Sequence, residues 1–213
     1  MDQISAHVRA PKQDRSRASY ERVIEAAIQL LTQRGADDFT LIEVSTLAKV
    51  SIGSIYGRFT SKEDLIRTVH YVVLQRVDLD RDAALARLDR DHHSLATLIP
   101  AMIRESGDLL RSHAAVLSAL MTRAAVDPVI MAHGKQGHAA TMQMFVALML
   151  KFSSEITHPN PKHATEACFM ISYSTIARYL GLETAPAAAG EGNWNDLIHD
   201  LGIMCLQFLR SNG

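Results

Sequence analysis

The segment TLIEVSTLAKVSIGSIYGRFTSKEDL, running from Thr40 to Leu65, decides the fold. Its spacing predicts short helices in quick succession. Thr40 and Glu43 have the T-x-x-E spacing of a capping box, in which two side chains satisfy the free amides at a helix start. Val44 and Leu47 then give the short helix an apolar face. Lys49-Val50-Ser51 interrupts it, and Ser51 is a good N-cap for a second short helix over residues 52–59. Ser61-x-x-Asp64 repeats the capping pattern and opens a third. Two helices of about eight residues joined by a three- to four-residue turn make a helix-turn-helix. The second carries Ser51, Gly53, Ser54 and Gly57 on one side and Ile55 and Phe59 on the other. It therefore buries one stripe and leaves a slim face able to enter a major groove.

Working outward, Tyr20, Val23, Ile24, Ala27, Leu30 and Leu31 recur at helical spacing, and Gly35 follows as a C-terminal stop. They predict a first helix from about Ser16 to Arg34, after a flexible basic arm over residues 1–14. From Arg9 to Arg22, five basic residues (Arg9, Lys12, Arg15, Arg17 and Arg22) face two acidic ones (Asp14 and Glu21). Such an arm can lie on phosphates or in a minor groove beside a helix-turn-helix. The same composition also suits a solvated tail.

Val50 to Leu65, V-S-x-G-S-I-Y-G-R-F-x-S-K-E-D-L, resembles the recognition-helix signature of TetR-family (tetracycline-repressor-like) transcriptional regulators. Residues 22–35 resemble the family's first helix, and Phe39-Thr40 its entry into the second. The resemblance covers roughly residues 15–66. Two positions depart from it. Ser45 stands where the family usually has Ala, and Lys49 where it usually has Gly, a residue that takes a left-handed backbone without strain. The resemblance implies a DNA-binding domain over residues 15–66 and a ligand-binding and dimerisation domain over residues 67–213. It implies phosphate contacts for Tyr56, Thr40 and Lys62, and the departure at position 49 offers Lys49 as a further phosphate contact. Arg15 and Arg17, just after the arm, and Ser51, Gly53, Ser54, Gly57 and Arg58 on or beside the recognition helix, complete the DNA-binding set. Tyr56 also suits packing between helices, Thr40 serves as a plain N-cap in any case, and Lys62 also suits a solvated lysine. With few long polar side chains on the helix, base readout would be sparse and DNA shape would share the specificity.

The remainder reads as helix throughout. A fourth helix runs from Ser61 to about Leu79, with the domain boundary inside it, and a short charged helix spans residues 82–89. Apolar helices cover residues 94–111, 113–125, 128–156, 162–182 and 194–209, with a loop over residues 181–193. No stretch has a strand period, so the fold class is all-α. By resemblance the middle helices frame a cavity for a small effector, which nominates Met102, Ile103, His113, Leu117, Met121 and Phe145. Helices 128–156 and 162–182 would pair with their symmetry mates in a homodimer, and a dimer suits a pseudo-palindromic double-stranded operator.

Composition bounds the rest. In 213 residues, 47% are hydrophobic and 21% charged, enough for a sizeable core. No apolar run reaches the ~18 residues of a membrane span, and residues 1–17 have no secretory apolar core. A cytoplasmic protein that does not engage membranes is expected. Cys168 and Cys205 match no metal or redox spacing and read as small core hydrophobes. Among ten histidines, His92-His93 and the pair His133 and His138 lack the i, i+4 spacing of a helical zinc motif, so no metal is expected. Neither a Gly-rich phosphate loop nor a nucleophile elbow is present, which argues against an enzyme and against a cofactor. The expected function is a dimeric transcriptional regulator, most simply a repressor released from its operator by an apolar or amphipathic molecule. A DNA-binding activator or co-regulator without a ligand, and a helical ligand-binding protein with a silent helix-turn-helix, remain alternatives.

Overall fold

The structure, a computed structural model, describes residues 12–182 and 189–212, with side chains described from Ser16 onward. Eight α-helices and no strand occur among these residues: α1 (Lys12–Arg34), α2 (Leu41–Ala48), α3 (Ile52–Tyr56), α4 (Lys62–Asp91), α5 (Leu95–Ala124), α6 (Pro128–Leu150), α7 (Pro161–Tyr179) and α8 (Trp194–Leu209). A single 3₁₀ turn, Ser153–Glu155, follows α6. The chain divides into two compact units within α4, between Val69 and His70.

In the first unit, Val23, Ile24, Ala27 and Leu31 of α1 meet Val44 of α2, Ile55 of α3 and Leu65 and Val69 of α4 in a core where each is at most 2% exposed. Helix α1 begins at Lys12 rather than near Ser16, because residues 12–15 (Lys-Gln-Asp-Arg) have good helix propensity and nothing among them stops the helix. Most of the expected arm, residues 1–11, lies outside the described residues. The buried face of α2 is Leu41, Val44 and Ala48, spaced i, i+3, i+7, whereas Leu47 is 40% exposed. Leu47 sits one position off that stripe, which corrects its place in the expected apolar face.

The second unit holds three further differences. Helix α4 runs on through the charged stretch 82–89, because Ala84 and Leu88 continue a buried stripe beneath the charges. Helix α5 is a single helix of 30 residues with no break at Ser112, whose hydroxyl donates back to the Leu109 carbonyl at 2.8 Å. Helix α6 stops at Leu150, and the following turn places Glu155 Oε2 3.1 Å from the Leu95 amide, at the start of α5. Of the expected loop over residues 181–193, residues 183–188 lie outside the described residues.

Helix α5 packs along α6 and α8, and α7 along α6 and α8. The α5–α8 crossing depends on two glycines that admit the neighbouring helix. A Cβ on Gly202 would lie 3.2 Å from Pro100 Cα, and one on Gly107 would lie 2.7 Å from Ile198 Cδ1.

Candidate nucleic-acid interface and effector cavity

The helix-turn-helix is fixed by caps read directly from its sequence. The Thr40 amide donates to Glu43 Oε2 at 2.7 Å, and the Glu43 amide donates to Thr40 Oγ1 at 3.2 Å. Arg34 Nη2 at the end of α1 adds a hydrogen bond of 2.5 Å to Glu43 Oε1. The Arg34 guanidinium, joined by the Thr40 amide and hydroxyl, holds the Glu43 carboxyl well below the usual carboxylate range, at about 2. Glu43 thus ties α1 to the start of α2, and Thr40 has both its amide and its hydroxyl engaged within the chain.

Helix α2 ends in a Schellman turn. Lys49 adopts φ 54°, ψ 45°, and is the one non-glycine residue with positive φ among the described residues. The Val50 amide donates to the Ser45 carbonyl at 3.1 Å and the Lys49 amide to the Thr46 carbonyl at 3.3 Å, as that motif requires. Ser45 Oγ in turn donates to the Val50 carbonyl at 2.6 Å. The two residues that depart from the family pattern therefore act on one turn: Ser45 grips, from both its carbonyl and its hydroxyl, the residue that follows the strained Lys49. Arg22 Nε donates to the Ala48 carbonyl at 3.1 Å and satisfies another group at the end of α2.

Ser51 caps α3 by accepting from the Ser54 amide at 3.3 Å, and the two hydroxyls lie 2.8 Å apart. Ile55 and Phe59 are buried. Lys49, Ser51, Gly53, Ser54, Tyr56 and Gly57 are all exposed, with Tyr56 at 58%. Gly53 is instructive. Its φ is not positive, and a Cβ there would meet nothing within 4 Å, so neither backbone conformation nor packing within the chain calls for glycine. A bare backbone at that point suits the close approach of something outside the chain.

Three of the expected contacts are engaged elsewhere. Lys62 Nζ donates to the Asp37 carbonyl and stands 5.0 Å from the centre of the Phe39 ring, bracing the segment between α1 and α2. Arg58 Nη2 donates to Ser16 at 2.9 Å (carbonyl) and 3.0 Å (Oγ), joining the end of α3 to α1. Arg17 is exposed and paired with Glu21 at 2.9 Å. Arg15 lies on α1, and its side chain lies outside the described residues.

In the second unit, α4 to α8 enclose a cavity of about 540 Å³, within the range of small-molecule sites. Met102, Ile103, Leu117, Met121 and Phe145 line it as expected. His113 does not; its Nε2 lies 2.8 Å from Asp80 Oδ2. Polar groups outside the nominated set also reach the wall: His70, Asp78, Arg81, Ser106, Lys135, His138, Thr141, Ser172 and Tyr173. Arg81 is 4% exposed, and its guanidinium donates to Asp78 at 2.5 Å, to Asp82 at 2.8 and 3.0 Å and to Thr141 at 3.2 Å. The charge is thus already neutralised. His70 is 4% exposed, and its Nδ1 is buried without a hydrogen-bond partner. Burial first, then repulsion from His133, pushes its imidazole down to about 4, so it is neutral at physiological pH. His138 meets the edge of Tyr173 at 4.4 Å. Nothing in the local sequence marks these residues, since each reaches the cavity only through helix packing. The wall is chiefly apolar, with several polar groups, the paired Arg81–Asp78 cluster and the exposed Lys135.

Among the described residues no group of three or more His, Cys, Asp or Glu side chains could hold a metal ion, and no helix is long and apolar enough to cross a membrane. Residues 23–69 match the family model for bacterial regulatory proteins of the tetR family. The whole chain shares its fold with solved structures of such proteins. A candidate TetR-family transcriptional regulator from Mesorhizobium loti MAFF303099 is 18% identical, with a TM-score of 0.72 over 92% of this chain and 96% of that one. A transcriptional regulator from Rhodococcus sp. Rha1 is also 18% identical, with a TM-score of 0.64 over 89% and 95%. The fatty acid degradation regulator FadR from Bacillus halodurans is 12% identical, with a TM-score of 0.63 over 88% and 97%. No curated protein matches the chain. Residues 23–69 thus carry a DNA-binding domain of the tetR-family type, and the chain shares the fold of solved regulators of that type.

Proposed function

We propose that this protein is a homodimeric, cytoplasmic transcriptional repressor that releases a pseudo-palindromic operator when a small apolar or amphipathic molecule fills the cavity of its second unit. The observation that carries the reading is the pairing of an exposed, nearly bare α3 face with an apolar cavity of about 540 Å³ in the same chain. Residues 62–69 of α4 belong to the first unit, and His70, Asp78 and Arg81 of the same helix line the cavity. A ligand that prefers one placement of α4 would shift the spacing of the two recognition helices, and only that difference in affinity can release DNA. The size of the cavity favours this reading over a regulator with no ligand. The mostly apolar wall favours a ligand that is mostly apolar. An acyl chain belongs to this class, and one structure sharing the fold is named a fatty acid degradation regulator.

Dimerisation is assigned to α7 and α8. Met170 and Ile171 on α7 and Ile203, Met204 and Phe208 on α8 are 37–61% exposed, more apolar surface than two neighbouring helices need within one protomer. The second interface helix is therefore α8 rather than the helix expected over residues 128–156, which contributes Phe145 and Met149 to the cavity wall. On the DNA side, Tyr56, Gly53, Ser54, Gly57, Ser51 and Lys49 form the contacting set, with Arg15 and Arg17 beside it. Thr40, Lys62 and Arg58 hold the domain in shape.

The test is fluorescence anisotropy of the purified protein on the DNA upstream of its own gene, in a salt series, beside Tyr56→Ala. Salt-sensitive binding that exceeds binding to random DNA and weakens in the variant supports the proposal. Equal affinity for random DNA across candidate operators overturns it.

A further inference from the structure

Cys168 and Cys205 are 37 residues apart, yet α7 and α8 bring them together. Each thiol lies against the other residue's backbone, with Cys168 Sγ 3.7 Å from the Cys205 carbonyl oxygen and Cys205 Sγ 3.9 Å from that of Cys168. Ser172 Oγ lies 3.3 Å from Cys205 Sγ. Both cysteines are free, both are buried from bulk solvent, and both line the cavity together with Ser172. Two thiols used only to fill space need not meet on the wall of a ligand cavity. A meeting pair can react with what enters it.

We infer that Cys168 and Cys205 form a dithiol modification site that reduces hydroperoxides entering the cavity and closes as a disulfide between α7 and α8. Cys205 is the attacking group. The neighbouring Cys168 thiol first, and then the Ser172 hydroxyl 3.3 Å away, outweigh burial and hold its pKa below the ordinary cysteine value. Cys168, beside Cys205 and buried, with its thiol directed to the Cys205 carbonyl, is held in the protonated form. In the first step the Cys205 thiolate attacks the terminal peroxide oxygen. An S–O bond forms, the O–O bond breaks, and the departing alkoxide or hydroxide takes a proton to leave as alcohol or water. In the second step the Cys168 sulfur attacks the sulfenic sulfur of Cys205. The S–S bond forms, the S–O bond breaks, and hydroxide leaves with the Cys168 proton as water. Two electrons pass from the thiols to the peroxide, and a thiol reductant restores the pair. The inference needs only the second unit, so it stands or falls apart from operator binding.

The test treats the purified full chain with hydrogen peroxide and, separately, with cumene hydroperoxide, whose apolar ring suits the cavity. Free thiols are counted after denaturation, and intact mass is read before and after dithiothreitol. The wild-type chain is expected to lose both thiols and about 2 Da, to stay a single chain on a non-reducing denaturing gel, and to recover on reduction. Cys168→Ser is expected to stop at a sulfenic acid on Cys205, trapped by dimedone, whereas Cys205→Ser reacts at least about tenfold more slowly. Wild-type chain that keeps both thiols under peroxide sufficient to oxidise a free thiol overturns the proposal. So does cross-linking between chains. Equal rates for the two serine variants overturn the assignment of Cys205 as the attacking group.

Discussion

Replacing Lys49 with glycine should tighten the turn that leads into the recognition helix. Lys49 sits at φ 54°, ψ 45°, a left-handed conformation that costs a residue with a Cβ about 1–2 kcal/mol. Glycine removes that cost but enlarges the unfolded ensemble, which returns about 0.4–1 kcal/mol. The net gain is about 0.5–1 kcal/mol, which is about a two- to fivefold slowing of exchange for amides that open with this turn. Native-state hydrogen exchange of peptides spanning residues 41–59 reads the effect where it arises, whereas a global melt of two units would blur it. Ser45→Ala should act in the opposite sense, because it removes the 2.6 Å hydrogen bond to the Val50 carbonyl, a contribution of about 1 kcal/mol. In the double variant the loss should shrink, since a glycine at position 49 no longer needs Ser45 to hold the next residue in place. Unchanged or faster exchange in Lys49→Gly would refute the claim that the turn is strained. Strict additivity of the two substitutions would refute the claim that Ser45 compensates for Lys49.

Four further outcomes are expected. Glu43→Gln should flatten the acid response of the first unit: the Glu43 carboxyl is depressed to about 2 when folded, so its contribution is full above its unfolded value near 4.5 and is lost as pH falls from there towards 2. Circular dichroism of both proteins between pH 2 and 6 checks this. Gly202→Ala should destabilise by about 1–3 kcal/mol, because its Cβ would lie 3.2 Å from the Pro100 backbone, which cannot move aside; urea unfolding measures it. Gly107→Ala should also destabilise in the same assay, since its Cβ would lie 2.7 Å from Ile198 Cδ1 and 3.0 Å from the Trp194 ring. Under the proposed α7–α8 dimer, Met204→Asp should give a monomer in light scattering after gel filtration, as Met204 is 61% exposed on α8 and a charge placed in an apolar interface opposes its burial.

Much of the first unit was legible because its determinants are local. Thr40 and Glu43 are three residues apart, Ser51 caps the helix it precedes, and the stripe from Val23 to Leu31 lies within one helix. Sequence spacing encodes such contacts directly. Errors arose where one element was read without its neighbours. Leu47 looked like part of the α2 face until the actual stripe fell on Leu41, Val44 and Ala48. The charged stretch 82–89 looked like a separate short helix because its stripe is narrow. The structure carries it as the end of α4, with Lys151 Nζ 2.6 Å from Asp89 and Arg87 2.6 Å from Glu105.

The functional residues divide along the same line. The exposed face of α3 is short and local, so Gly53, Ser54 and Tyr56 could be placed on it from the sequence. Lys62 and Arg58 could not be assigned that way, because whether a cation faces outward or turns to Asp37 or Ser16 depends on residues 25 and 42 positions away. The cavity is the extreme case. Its apolar lining could be nominated because almost any inward position of the middle helices qualifies, but the groups that give it chemical character are set by packing across helices. Arg81 meets Thr141 across 60 residues, and Cys168 meets Cys205 across 37. Sequence therefore reveals the exposed face of α3 sooner than the cavity of the second unit, since the first is built along one helix and the second from five.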